Sequence, residues 1–369
     1  MALPSSGTLT MAQINAEFGR GNNLNAYRGT SYYTSSAGPF TFSSGAISFS
    51  DFYGTQLAAP VFSFTISAHQ NQANLRTLAV AAGWDQSKPV IATLAAGYYI
   101  YSTTTTAALT INGSWPGGVT FVNNGYVMGF GGTGGGLNYN GSAYTYNLGL
   151  TAGSNAINLG VSCTIQNNSY IGGGGGGGGF AGNSLNAGAG YPGGGGAGGG
   201  TGGTQNMNGT ISPGGAGGGI GSSGGNGTIV NGYYSGGGGG RIMPGSSVSS
   251  TSSINGGAYY ATSTGGGAGN AGTAVQNGQP ASGTNTSSTV IGYGGQAGGS
   301  GSCYTGNIQY GIGNIAAGGG GGWGASGASS VNSAVAAGQY TGAAGGKCVN
   351  LNGYSVTWSA TGTRYGAIS

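Results

Sequence analysis

Charged side chains are scarce in this chain of 369 residues. Seven Lys or Arg and three Asp or Glu make up 3% of the sequence and give a net charge of +4. The basic residues stand singly along the chain, so there is no basic patch or stripe of the kind that binds nucleic acid. Nucleic acid is therefore not an expected partner.

Titratable catalytic groups are equally few. The chain has one histidine, His69, and three carboxylates, Glu17, Asp51 and Asp85. General acid–base catalysis needs such groups brought together, and no nucleophile-elbow sequence accompanies them. His69 is expected at the surface, and Asp85 in a solvated turn with Lys88. We predict that the protein is not an enzyme and that it has no metal site and no cofactor.

Cysteines, prolines and long apolar runs are also few. Cys163, Cys303 and Cys348 have no metal-like spacing; three buried thiols are favoured, with a Cys303–Cys348 disulfide as the alternative. No stretch approaches eighteen apolar residues and no basic segment precedes an apolar one at the N-terminus, so we predict neither a membrane span nor a secretory signal. Nine prolines without a strict glycine period of three exclude collagen.

Glycine is abundant instead, with 92 residues, and it is concentrated in runs. The longest is the eight consecutive glycines at 172–179, and further runs recur at 193–196, 198–200, 214–219 (broken once by Ala216), 236–240, 265–267 and 318–322. Such runs are either flexible linkers or backbones packed closer than a Cβ allows. Because the chain also has 23 Tyr, 10 Phe and 4 Trp, unlike a disordered chain, we favour order.

Packed polyglycine-II helices would satisfy the backbone of such runs without side chains. Each has three residues per turn and no internal hydrogen bonds, so neighbouring helices can bond to one another. We therefore predict a mainly β and irregular fold in which residues 129–324 contain a bundle of these helices with loops at both ends. A valine at Gly175 is expected to disrupt that packing.

The N-terminal part divides into two predicted modules. In residues 1–57, Thr10 and Gln13 form a capping box, and Ile14 and Phe18 share one helix face; this small unit is expected to be a docking segment. Residues 58–118 alternate apolar and polar residues at 61–67 and carry helix signals at 74–83. They are expected to form a small α+β or sandwich-like domain.

Residues 119–369 form the predicted glycine-rich domain, and they show internal similarity. Thr-Phe-Val-Asn-Asn-Gly-Tyr-Val-Met-Gly at 120–129 matches Thr-Ile-Gln-Asn-Asn-Ser-Tyr-Ile-Gly-Gly at 164–173, and 228–234 is a looser third copy. Tyr, Ser, Gly and Asn between the runs are the residue types of recognition loops. The candidate receptor-binding residues are Tyr191, Tyr233, Tyr234, Arg241, Tyr259, Tyr260, Tyr304 and Tyr310.

Several segments carry a family resemblance. The opening MALPSSGTLTMAQINAEFG and GAISFSDFYG resemble an N-terminal segment of tailed-phage structural proteins. Residues 74–84 and the Asn-Asn-x-Tyr repeat before glycine runs resemble glycine-rich domains of tail-fibre and host-specificity proteins, and the alternation of runs and loops is similar to the distal receptor-recognition adhesins of T-even-like phages. The resemblance implies a polyglycine-II sandwich whose loops bind outer-membrane proteins or surface glycans.

We therefore expect a phage adhesin at the virion surface, on the tail, that binds a host surface protein or glycan. Residues 1–57 would contact other virion proteins, and a homo-oligomer is an open alternative. Two other classes remain open. One is a purely structural virion protein, such as a capsid decoration or fibre subunit without receptor binding; the other is an ice-binding protein that presents the flat side of a glycine bundle.

Overall fold

The structure is a computed structural model, and it confirms a mainly β chain with few helices. It describes residues 2–35, 38–139, 144–183, 189–191, 193–196, 198–207, 210–217, 229–230, 233–234, 291–293, 302–304, 315–316, 320–327, 329, 331–332 and 340–369. Within these residues, three parallel sheets and a set of glycine runs dominate the architecture.

The N-terminal module begins with the predicted helix Met11–Phe18. Thr10 and Gln13 form its capping box, and Gly19 ends it in the left-handed conformation, with φ 68°. Two 3₁₀ turns and three short strands follow, and Ser48 and Asp51 form a capping box at the start of the second turn. Their bounds are Leu24–Tyr27 and Phe49–Phe52 for the turns, and Ser31–Thr34, Phe40–Thr41 and Thr55–Gln56 for the strands.

This module has its own apolar core. The buried side chains are largely aromatic, and edge-to-face pairs join Phe18 to Tyr27, Phe42 and Phe52 at centroid distances of 6.1, 5.6 and 5.9 Å. Ile14 and Phe18 are both buried, as their spacing predicts. Aromatic rings give a large buried area per residue, so a small unit can still form a core.

The next part of the chain is a three-faced parallel β-solenoid. Successive strands visit face one, face two and face three in turn, and each strand pairs in parallel with the strand one turn earlier. Face one contains Phe62–Ile66, Val90–Leu94, Val119–Asn123, Cys163–Asn167 and Val356–Ala360. Face two contains Gln70–Asn71, Tyr99–Tyr101, Tyr126–Met128, Tyr170–Gly172 and Thr363–Tyr365. Face three contains Ala73–Asn74, Leu109–Ile111, Ile157–Leu159 and Val349–Asn350, and Val349 bridges to Ile368.

Alternating burial along these strands builds the solenoid core. In Val119–Asn123 the first, third and fifth residues are buried and point inward, as the period-two pattern of a strand requires. The parallel register then places buried apolar side chains of successive turns on one another: Phe121 pairs with Ile165 and with Ala92, and all three are fully buried. One core cluster therefore runs through all three faces.

Buried asparagines close the corner between faces one and two. The Asn123 side-chain amide donates to Asn167 Oδ1 at 2.8 Å, and the Asn167 amide donates to the carbonyls of Thr361 and Thr363 at 2.9 and 3.1 Å. At the surface the next two asparagines bond in the opposite direction, with the Asn168 side-chain amide donating to Asn124 Oδ1 at 2.7 Å. The repeat seen in the sequence is therefore one turn of the solenoid.

The solenoid corrects the predicted small α+β or sandwich-like domain at 58–118. The helix Leu75–Ala81 exists and Asn74 caps it, but Val90–Leu94 pairs in parallel with Val119–Asn123 across the expected boundary. The looser third copy is also not a solenoid turn, because Ile229–Val230 pairs antiparallel with Tyr233–Tyr234. Short-range patterns identify strands but not the distant strands with which they pair.

Candidate receptor-binding end

The glycine runs are insertions into two turns of the solenoid. In the third turn the chain leaves face two at Met128 and returns to face three at Ile157. In the fourth turn it leaves at Gly172 and returns at Val349. Both insertions therefore begin and end at the corner between faces two and three.

The run at 172–179 lies at the centre of the described glycine segments. Residues 173–180 form neither helix nor strand. Their hydrogen bonds recur every third residue, because the carbonyls at 172, 175 and 178 accept from Gly129, Gly132 and Gly135 at 2.8, 2.7 and 2.9 Å. The amides at 174 and 177 donate to Ser154 and Thr151 instead, and the carbonyls at these two positions accept from Gly346 and Ala343. Positions 172, 175 and 178 thus bond to the segment at 129–135, positions 174 and 177 to those at 151–154 and 343–346, and the carbonyls at 173 and 176 accept from Gly324 and Gly321.

Glycine is required here because the backbones leave no room for a Cβ. A Cβ on Gly174 would meet the Phe130 carbonyl, and one on Gly177 would meet the Thr133 carbonyl, both closer than 3.0 Å. A Cβ on Gly176 would meet the Ala343 carbonyl in the same way. Since the obstructing atoms are backbone, they cannot rotate aside as a flexible side chain can.

Antiparallel hairpins follow the outgoing glycine runs. Strand Gly136–Tyr139 pairs with Tyr144–Leu148, Ala181–Asn183 with Ala189–Tyr191, and Thr204–Met207 with Thr210–Pro213. Three shorter hairpins pair Ile229–Val230 with Tyr233–Tyr234, Ile291–Tyr293 with Ser302–Tyr304, and Ile315–Ala316 with Val331–Asn332.

The first three hairpins lie together at the end of the runs that is remote from the solenoid. The segment at 129–135 and the run at 172–178 extend in the same direction, because each third residue of the first donates to each third residue of the second. The strands that follow them therefore begin at the same end. Leu137 of the first hairpin also pairs in parallel with Gln205 of the third. Strand Ala189–Tyr191 also contacts Tyr233–Tyr234, and Ala181–Asn183 contacts both strands of the 315–332 hairpin. These hairpins form a cluster, which we call the distal hairpin cluster.

The structure brings some of the predicted receptor-binding tyrosines together. Tyr191 pairs with Ala181, and its strand contacts the strand of Tyr233 and Tyr234 in the distal hairpin cluster. Tyr304 lies on a separate hairpin, paired with Ile291. The remaining candidates, Arg241, Tyr259, Tyr260 and Tyr310, lie outside the described residues.

A stack of aromatic rings on face two was not anticipated from the sequence. Tyr99, Tyr126 and Tyr170 stack at centroid distances of 5.3 and 5.9 Å, His69 extends the stack at 4.5 Å from Tyr99, and Tyr365 continues it at 6.4 Å from Tyr170. Parallel register aligns Tyr99, Tyr126 and Tyr170, and the Asn-Asn-x-Tyr repeat was the signal that could have predicted the pairing of Tyr126 with Tyr170. As expected, His69 is at the surface, and its Nδ1 accepts from the Tyr99 amide at 3.2 Å.

Burial raises the pKa of several side chains of the solenoid. Desolvation raises the pKa of Tyr365 to about 12, with a further contribution from Tyr170, and it also raises the pKa of Tyr126. Desolvation likewise raises the pKa values of Cys163 and Cys348 to about 12. Both thiols are buried and free, so the alternative of a Cys303–Cys348 disulfide is wrong.

The carboxylates are engaged in local contacts. Glu17 accepts from the Leu57 amide at 2.9 Å, Asp51 caps a turn, and Asp85 lies 3.5 Å from Lys88 in the expected turn pair. Among the described residues, no three His, Cys, Asp or Glu side chains form a group that could hold a metal ion. No helix in this described part is long and apolar enough to cross a membrane.

A family model of known proteins matches part of this chain. Residues 61–232 match the family model of the phage tail fibre adhesin Gp38, so the resemblance to tail-fibre adhesins predicted from the sequence is confirmed over this stretch. The match begins at the first solenoid strand and extends into the distal hairpin cluster.

One solved structure is also similar to this chain, and no curated protein matches it. This structure is a chain of the gp37–gp38 adhesin tip complex of the bacteriophage S16 long tail fibre, at 18% identity and a TM-score of 0.40. The similarity covers 99% of this chain and 100% of that chain.

Proposed function

We propose that this protein is an adhesin at the tip of a phage tail fibre, located on the virion tail, and that it binds a receptor on the host cell surface. The single observation that carries the proposal is the match of residues 61–232 to the tail fibre adhesin family. Its activity is then binding and not catalysis.

We further propose that the glycine runs form a polyglycine-II bundle. The three-residue hydrogen-bond period of the central run supports this assignment, because the polyglycine-II helix has three residues per turn. The backbone contacts at Gly174, Gly176 and Gly177 support it as well. Such a bundle holds its loops at fixed positions, and recognition commonly resides in loops on a rigid scaffold.

The distal hairpin cluster is the proposed receptor-binding end. Its tyrosines combine rigid aromatic area with a hydroxyl group, which suits recognition of a protein or glycan surface. Tyr191, Tyr233 and Tyr234 lie on contacting strands and are the first candidates; Arg241, Tyr259, Tyr260, Tyr304 and Tyr310 remain candidates.

Residues 1–57 are the proposed attachment to other virion proteins. Their separate aromatic core allows them to act as a unit. Deletion of these residues is expected to leave a folded protein that no longer copurifies with phage particles. Normal incorporation of the truncated protein would place the attachment elsewhere.

A competition experiment tests the receptor-binding proposal. The full chain is used as competitor, because a fragment starting at residue 119 would lose the first two turns of the solenoid. Purified protein should block adsorption of the phage to host cells, and replacing both Tyr233 and Tyr234 by Ala should weaken this competition at least tenfold, or about 1.4 kcal/mol. A Tyr259 and Tyr260 double variant is tested in parallel.

A control variant accompanies the competition assay. The variant Tyr354→Ala removes an exposed tyrosine of the solenoid and should compete like the parent protein. Full-length protein that folds but does not compete would favour a purely structural virion protein, and activity in an ice-recrystallisation assay would favour the ice-binding alternative. Unchanged competition by both double variants would return these tyrosines to a packing role.

A further inference from the structure

A groove crosses the outer side of face one at the end where its strands begin. It has a volume of about 360 Å³, and small-molecule sites of proteins commonly have volumes of about 300 to 1,000 Å³. Two rows of residues line it, one on the strands and one just before them. We call it the face-one groove, and it lies on the solenoid, apart from the distal hairpin cluster.

Parallel register aligns the row on the strands. Each member is the second residue of its strand and points outward, because the first and third residues point inward. Ile91 pairs with Thr120, Thr120 with Thr164, and Thr164 with Thr357. Neighbouring strands are about 4.8 Å apart, so this row is roughly 14 Å long. Within the described residues, the three threonine hydroxyls make no hydrogen bond to the protein, so they can donate to a ligand and accept from it.

The second row consists of residues that immediately precede the strands. Ser162 and Ser355 are neighbours at one end of it: the Ser355 amide donates to Ser162 Oγ at 3.0 Å, and the two hydroxyl oxygens are also 3.0 Å apart. Gly118 follows Pro89 in this row, and a Cβ on Gly118 would meet nothing within 4 Å. The groove therefore has a pair of hydroxyl groups at one end and open space at its middle.

Two aliphatic side chains lie towards the opposite end of the groove. Val61 precedes the first strand of face one and is 47% exposed, and Ile91 on the second strand is 36% exposed. A ligand that covers such groups gains about 25 cal/mol for each Å² of apolar surface that it removes from water. The groove thus combines a set of hydroxyl groups with a small apolar patch.

The groove has no charged residue in its lining. Lys88 precedes the lining residue Pro89, but its ammonium lies 3.5 Å from the Asp85 carboxylate in their shared turn. An ionic ligand would lose hydration in the groove without gaining a counter-charge. The lining therefore selects for a neutral ligand.

The backbone around the groove is already paired. The carbonyls of Pro89, Gly118 and Ser355 accept from amides of the adjacent strands at 2.8, 3.1 and 3.1 Å. Addition of a peptide strand to a sheet needs a row of free amide and carbonyl groups at an edge. The groove offers side-chain hydroxyls in place of such a row, which argues against an extended peptide as the ligand.

We infer that the face-one groove binds a linear chain of neutral sugars at the host cell surface. A sugar ring presents hydroxyl groups, which match the donors and acceptors of both rows, and an apolar C–H side, which matches Val61 and Ile91. The length of the groove suits a chain of sugars better than a single ring. The inference rests on the proposed function, and it adds a glycan site on the solenoid to the proposed receptor-binding end.

Polysaccharide from the host cells is the probe for this site. It is released by mild acid and separated by anion exchange into a neutral and an acidic fraction. Saturation-transfer NMR with the purified full-length protein should show binding of the neutral fraction, at least tenfold tighter than that of the acidic fraction. Absence of binding, or binding of the acidic fraction alone, would overturn the inference.

A pair of isosteric substitutions tests the hydroxyl row. The double variant Thr120→Val and Thr164→Val keeps the β-branched shape that suits a strand but removes two central hydroxyls, and it should bind the neutral fraction at least tenfold more weakly. The matched control is Thr65→Val with Thr93→Val, since these two threonines also pair on the outer side of face one but do not line the groove. Equal affinity of the parent and the Thr120 and Thr164 variant would overturn the inference.

Methyl NMR locates the bound glycan without a substitution. The methyl signals of Val61 and Ile91 should shift when the neutral fraction is added to the full-length protein. The methyl signals of Val80 should not shift, because Val80 is similarly exposed but lies on the helix Leu75–Ala81, outside the groove. Shifts of Val80 with unchanged Val61 and Ile91 would overturn the inference.

Competition for host cells separates this inference from the proposed function. Parent protein that competes with phage for adsorption but does not bind the neutral fraction would overturn the glycan site alone. Parent protein that binds the neutral fraction through the groove but does not compete would support the glycan site and contradict the proposed adhesin function. The two measurements use the same purified protein.

Discussion

Replacement of Gly174 by alanine should destabilise the protein strongly, although it adds a single methyl group. The new Cβ would meet the carbonyl group of Phe130 and the amide nitrogen of Gly131, all closer than 3.0 Å. An ordinary van der Waals contact needs 3.4 to 4 Å. The segment at 130–131 must therefore move away from the central run.

The magnitude follows from the bonds that this movement breaks. Gly132 donates to Gly175 at 2.7 Å, and Ser154 donates to Phe130 at 2.8 Å. A displacement of about 1 Å takes both beyond normal hydrogen-bonding distance. Each lost bond costs about 1 kcal/mol or more when its groups stay buried, and overpacking adds about 1 to 3 kcal/mol, so we expect a loss of about 3 to 6 kcal/mol.

Urea unfolding of the full-length variant, monitored by tryptophan fluorescence, measures this loss. Trp323 lies beside the glycine runs, close to Gly172, and it reports on this region. Gly45→Ala is the matched control: Gly45 is exposed and its nearest neighbour is Ser43 Oγ at 3.4 Å, so its effect should stay within about 0.5 kcal/mol. A Gly174→Ala protein as stable as this control would refute close backbone packing as the reason for the glycine runs.

Three further predictions concern the solenoid. Tyr126→Ala removes the ring between two stacked tyrosines and should lower the free energy of unfolding by about 2 to 4 kcal/mol in the same titration, whereas the exposed Tyr354→Ala should change it little. Asn167→Ala removes the hydrogen bonds that this buried side chain makes with Asn123, Ser169, Thr361 and Thr363 and should cost about 2 to 4 kcal/mol, against less than about 1 kcal/mol for the exposed Asn168→Ala. Because the pKa of Tyr365 rises to about 12 in the folded protein, the folded state holds this proton more tightly than the unfolded state. Stability should be complete below pH 10 and fall as the pH rises towards 12; melting temperatures from pH 8 to 11.5 should fall less steeply in Tyr365→Phe, and equal slopes would contradict this assignment.

Local signals in the sequence predicted local structure well. The capping box of Thr10 and Gln13 depends on residues within one helical turn, and period-two alternation identified the strand near 62–66. The glycine runs indicated close backbone packing because no other residue can occupy such positions. These inferences needed no knowledge of distant contacts.

The solenoid could not be predicted from the same signals. Its faces pair strands that are far apart in the chain: Cys163–Asn167 pairs with Val356–Ala360 across the whole fourth-turn insertion. The apolar pattern of a strand is the same whether it pairs with a neighbour in a sandwich or with the previous turn of a solenoid. The boundary expected at 118 failed for this reason. The Asn-Asn-x-Tyr repeat carried the missing information, because residues repeated once per turn become neighbours in a parallel register.

The candidate sites, too, were predicted from the sequence only in part. The sequence by itself identified the tyrosine-rich segments between glycine runs and the resemblance to tail-fibre adhesins, since both depend on residue type and order. Only the tertiary structure placed Tyr191 beside the strand of Tyr233 and Tyr234 and stacked Tyr99 on Tyr126. Each of these depends on parallel pairing or backbone packing between distant segments, and the free energy of such contacts is a property of the assembled chain that no short stretch of sequence contains.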